Sequence, residues 1–61
     1  MEVDPSRLID RIEATQNRLG VARCDVESER AMAADVDPAV HASELRATLL
    51  ALEREEVVRR E

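Results

Sequence analysis

Ala34-Asp35-Val36-Asp37-Pro38-Ala39 divides the chain in two. Proline has no N–H and a φ fixed near the helical value, so Pro38 suits the first position of a helix. Asp37 before it is a good N-cap, because its carboxylate can accept from an N–H of the first turn that has no intrahelical partner. A second helix therefore begins at Pro38. The same tripeptide stands at Val3-Asp4-Pro5, and these are the chain's two prolines. Two helix starts and no strand signal imply an all-α fold. Val3 and Leu8 also occupy the two positions of a hydrophobic staple at the first start.

Working outward, the first helix is expected over residues 5–34, the turn over 35–37 and the second helix over 38–60, as one helical-hairpin domain spanning 1–61. Ile12, Leu19, Val26 and Ala33 recur every seven residues, with Leu8, Thr15, Ala22 and Glu29 in a second row, a narrow seam of the coiled-coil type. Gly20 interrupts this reading, because glycine in a helix interior costs roughly 1 kcal/mol against alanine and often caps a helix end. The seam continues through it, and no Ser, Thr, Asp or Asn follows Gly20 directly to restart a helix. Both features favour one continuous helix.

On the second helix Ala42, Leu45, Leu49 and Leu52 form one apolar row, while Leu50 and Val57 lie off it and Ala47, Ala51 and Val58 add a weaker patch. An antiparallel fold about the turn sets Val26 against Leu45, Ala22 against Leu49 and Leu19 against Leu52. Leu8, Ile9 and Ile12 are then poorly covered. The two halves also align at the repeated tripeptide, with Ile12 meeting Leu45 and Leu19 meeting Leu52, as an internal duplication or two similarly capped amphipathic helices would give.

Size makes that uncovered surface matter. A 61-residue chain is short for a self-sufficient core, and small scaffolds add disulfides, a metal or oligomerisation. One cysteine cannot close an internal disulfide, and one cysteine with one histidine is a poor zinc set. The expected assembly is a homodimeric four-helix bundle. Its expected interface residues are Leu8, Ile9, Ile12, Leu19, Val26, Leu45, Leu49, Leu50, Leu52 and Val57.

Charge and composition narrow the function. Fourteen acidic residues against nine basic ones give a net charge of −5, which opposes binding along a phosphate backbone. Arg7, Arg11 and Arg18 form one basic stripe and are the candidate nucleic-acid contacts, but no aromatic residue is present to stack on bases. No apolar run approaches a membrane span, and the acidic start lacks the regions of a signal peptide, so a cytoplasmic location without membrane contact is the expectation. Cys24 has acidic neighbours at Asp25 and Glu27, which reads as a small half-buried apolar residue rather than a reactive thiol. His41 has no His or Cys one turn away and reads as a flank residue near the turn. Glu27 with Arg30, Glu55 with Arg59 and Glu56 with Arg60 stand at the spacing of solvated helical pairs.

Nothing here specifies a catalytic group, cofactor or metal. The expected function is a non-catalytic protein–protein interaction module or small adaptor that self-associates. A second reading is an obligate helical partner of a larger protein, such as a secretion chaperone, antitoxin or phage-type inhibitor. A third is an RNA-binding regulator using the arginine stripe.

Overall fold

A computed structural model describes residues 4–60; Val3, and with it the staple, lies outside the described residues. The described chain is all-helical, with three helices: α1 (Pro5–Leu19), α2 (Val26–Met32) and α3 (Pro38–Arg60). Both Asp-Pro pairs start helices in the same way. Asp4 Oδ1 accepts from the Ser6 N–H at 2.9 Å, and Asp37 Oδ1 accepts from the Ala39 N–H at 2.9 Å.

The continuous first helix over 5–34 is corrected at Gly20. This residue takes the left-handed conformation, with φ 71° and ψ 33°. Its N–H and that of Val21 both donate to the Gln16 carbonyl, at 2.8 and 3.1 Å, which closes the helix end with a bond reaching five residues back. The restart comes five residues later rather than directly. Asp25 Oδ1 accepts from the Ser28 N–H at 3.2 Å, and the Ser28 hydroxyl donates to Asp25 Oδ2 at 2.9 Å. Asp25 is thus the N-cap of α2.

Ending α1 at Leu19 redirects the rest of the chain. Along α1 and α2 the contacts run in opposite senses: Gln16 holds Cys24, while Arg30 reaches back to Asp10 and Glu13. Along α1 and α3 they rise together: Arg11 meets Glu53, Arg18 meets Glu56, and Arg59 reaches the Leu19 carbonyl. The path is up, down and up, so α1 and α3 lie side by side in the same sense. The antiparallel two-helix register, with Val26 on Leu45 and Leu19 on Leu52, gives way to this arrangement.

The physical reason is burial. The antiparallel register spends the leucines of α3 on Ala22 and Val26 and strands three large residues of α1. The three-helix path brings Leu8, Ile9 and Ile12 together with Ala42, Leu45, Leu49 and Leu52 in one core. Ile12 is fully buried, and Ile9 and Leu45 are 1% exposed. Each such side chain is worth roughly 1.5–3 kcal/mol of transfer free energy. Leu19, Val21, Cys24 and Val26 pack against this core at its edge.

Candidate interaction surface

The burial pattern sorts the expected interface residues. Leu8, Ile9, Ile12, Leu45, Leu49 and Leu52 are buried within the chain, and Leu19 and Val26 are partly buried against the same core. The first three are therefore not a self-association surface: α3 already covers them. Leu50 and Val57, each 54% exposed, remain available.

They are joined by Val40 and Val58, which are also exposed, on the side of α3 opposite Leu45, Leu49 and Leu52. Ser43, Ala47, Ala51 and Arg54 lie between them and are exposed as well. The second face exists because α3 carries apolar residues at two helical phases. α1 and α2 take up one phase and leave the other bare. Among the described residues, none covers this second face.

Around the buried face runs a rim of ion pairs between segments far apart in sequence. Arg11 Nη2 meets Glu53 Oε2 at 3.1 Å, Arg23 Nη2 meets Glu55 Oε1 at 2.9 Å, and Arg30 Nη2 meets Asp10 Oδ1 at 2.9 Å. Arg18 presents Nε and Nη2 to the two oxygens of Glu56, at 2.8 and 3.4 Å. That hydrogen bond, and then the charge of Arg18, hold the Glu56 carboxyl below its ordinary range, while Glu56 raises the Arg18 guanidinium in turn. Of the three helical pairs expected from spacing, Glu55–Arg59 forms, at 3.1 Å. Arg30 instead turns to Asp10 and Glu13, and Glu56 to Arg18, because neighbouring helices offer carboxylates that a single-helix reading does not see. Arg59 also donates to the Leu19 carbonyl at 2.8 Å, so a side chain of α3 caps the end of α1.

The arginine stripe is broken up by the same rim. Arg11 and Arg18 are engaged with carboxylates of α3, and Arg7 alone of the three forms no ion pair among the described residues. A nucleic acid would have to displace Glu53 and Glu56 to reach the other two.

Two residues take positions that spacing did not reveal. Gln16 is buried, and its side-chain amide pairs with the Cys24 backbone like a strand neighbour: Nε2 donates to the Cys24 carbonyl at 3.2 Å, and Oε1 accepts its N–H at 2.6 Å. It pins the loop between α1 and α2. His41 is fully buried rather than flanking the turn. Its Nε2 lies 3.3 Å from Glu29 Oε1 of α2, while Nδ1 is buried without a partner. A polar residue at a core phase is the signal for both; Gln16 lies one turn from Ile12, and His41 one turn from Leu45.

Cys24 is half-buried and its thiol is free. Burial pushes its thiol up, and Glu29 and Asp25 push it further, the opposite of an activated nucleophile. An open depression beside it is lined by Glu13, Gln16, Asn17, Asp25 and Glu27, with no basic side chain to hold an anion. Among the described residues no three His, Cys, Asp or Glu side chains form a metal-binding group. No helix among them is long and apolar enough to cross a membrane.

No protein-family model matches this chain, and neither curated proteins nor solved structures provide a match.

Proposed function

We propose that this protein is a non-catalytic protein–protein interaction module that self-associates through the outer face of α3. The observation that carries this reading is the exposure of Val40, Leu50, Val57 and Val58 along one side of a 23-residue helix. Exposed apolar side chains gathered on one helix face of a small protein suit an interaction site. With three helices in each copy, this dimer differs from the four-helix bundle expected from sequence: α3 of one copy lies against α3 of the other, and α1 of each copy packs on the far side. Apolar contact supplies affinity, and the charged residues beside it set orientation.

The second reading, an obligate helical partner of a larger protein, uses the same face and differs only in what covers it. The arginine stripe lends less support to an RNA-binding regulator, because Glu53 and Glu56 already occupy two of its three cations.

Self-association linked to folding makes stability depend on protein concentration. The melting midpoint of the helical circular dichroism signal should rise as the protein is concentrated. A midpoint independent of concentration over the micromolar range would remove self-association and leave the heterologous partner.

A further inference from the structure

The outer face of α3 has an ordered spacing. Val40, Ser43, Ala47, Leu50, Arg54 and Val57 succeed one another at alternating intervals of three and four residues, and all are exposed. Such spacing places all six on one helix face, and four of them, Val40, Ala47, Leu50 and Val57, are apolar as a helix–helix seam requires. Ala51 and Val58 widen it on one flank, and Arg46 and Glu53 lie on the other. The geometry points to a second copy of this chain seated on this face, with the two α3 helices antiparallel about a twofold axis. This rests on the self-association reading and adds its register.

Charge decides the orientation. In a parallel pair each seam residue meets its own counterpart, so Arg54 would face the partner's Arg54 inside the interface, and such like-charge contacts are costly. In the antiparallel pair Val40 faces the partner's Val57, Ser43 faces the partner's Arg54, and Ala47 faces the partner's Leu50. Each contact occurs twice by symmetry. Small residues meet large ones in the central layers, which lets the helices approach closely. Arg54 falls beside the partner's Ser43 and the partner's Glu44 instead of another arginine.

The flank completes the match. In this register Arg46 lies opposite the partner's Glu53. Neither Arg46 nor Arg54 forms an ion pair among the described residues. Glu53 gives Oε2 to Arg11, and no hydrogen bond to its Oε1 is made among the described residues. Each copy thus offers a cation without an anion and a carboxylate with acceptor capacity left, at positions that meet across a twofold. The seam from Val40 to Val57 is about 26 Å long at the usual helical rise.

Disulfide mapping tests the register. Cys24→Ser removes the native thiol, and Val40→Cys or Val57→Cys places a new one at either end of the seam. Both positions are exposed, so folding is retained and is checked by circular dichroism. When the two variants are mixed and oxidised, the heterodisulfide between Val40→Cys and Val57→Cys chains should form, and neither variant alone should link to itself, because equal positions lie at opposite ends. Self-linking of Val40→Cys would overturn the proposal in favour of a parallel pair. A dimer mass without the heterodisulfide would also overturn it, while leaving self-association standing. A monomer mass for the parent would overturn both.

Discussion

α1 and α3 both pack into the core, and they differ in what they leave bare. α1 gathers Leu8, Ile9 and Ile12 on one side and shows Asp10, Arg11, Glu13, Asn17 and Arg18 to solvent. Its apolar surface is used up inside the chain. α3 buries Ala42, Leu45, Leu49 and Leu52, and on its far side still exposes Val40, Leu50, Val57 and Val58. The difference separates two roles that hydrophobic content alone would merge: α1 holds the chain together, and α3 has a face left over for something else.

Paired truncations offer the strongest way to break this comparison. Ile12→Ala should cost about 2–5 kcal/mol, the usual range for removing a large buried aliphatic side chain. In a domain of ordinary marginal stability that abolishes or nearly abolishes folding. Leu50→Ala should leave the stability of the dilute protein within about 0.5 kcal/mol, as exposed substitutions do. Its effect should appear only at concentrations where copies associate. Urea titrations at low protein concentration read both, and equal losses for the two variants would erase the distinction between the helices.

Gly20→Ala sharpens the comparison by testing where α1 stops. No atom stands within 4 Å of where a Cβ would be, so the substitution meets no clash. The cost is conformational: a left-handed residue with a Cβ is roughly 1–2 kcal/mol less stable. A continuous helix through this position would instead gain stability from alanine, so the sign of the change distinguishes the two backbones.

That sign is also where sequence reading met its limit. The all-α class and the helix starts at Pro5 and Pro38 were legible, because proline and a preceding aspartate act through local geometry that survives any tertiary arrangement. Leu45, Leu49 and Leu52 were legible as an apolar row for the same local reason. The break at Gly20 was not. A seam continuing through a glycine is indistinguishable by spacing from two helices that happen to share its phase. Asp25-Val26-Glu27-Ser28 carried the restart signal, but five residues downstream. The parallel course of α1 and α3 resulted from that one break, and with it the burial of Ile9 and Ile12. Spacing also cannot say which helix supplies an ion-pair partner, which is why Arg18 with Glu56 and Arg30 with Asp10 had no counterpart in the pattern. Leu50 and Val57, off the main row, were visible from the start as surplus apolar surface.

The smallest expected effect concerns the polar rim. The Glu56 carboxyl is held low chiefly by its hydrogen bond from Arg18, and that of Asp25 by the Ser28 N–H and hydroxyl. In both cases the unfolded chain binds the proton more tightly. The stabilisation is therefore present above the ordinary carboxylate range, near pH 4, and is lost as the pH falls through the lower folded values. The melting midpoint should decline on acidification below about pH 4. Glu56→Gln should flatten part of that decline, since it removes the titrating link between α1 and α3. An identical acid profile for parent and variant would mean that the pair contributes nothing, as many exposed ion pairs do.

Sedimentation equilibrium tests the central claim most directly, that the outer face of α3 joins two copies. The chain has no Trp, Tyr or Phe, so absorbance must be read from the peptide bond rather than at 280 nm. The parent should sediment as a dimer of its 6.9 kDa chain at high concentration and dissociate on dilution. The variant carrying Leu50→Asp and Val57→Asp should remain helical and sediment as a monomer throughout. A parent that stays monomeric, or a variant that dimerises as well as the parent, would contradict the account.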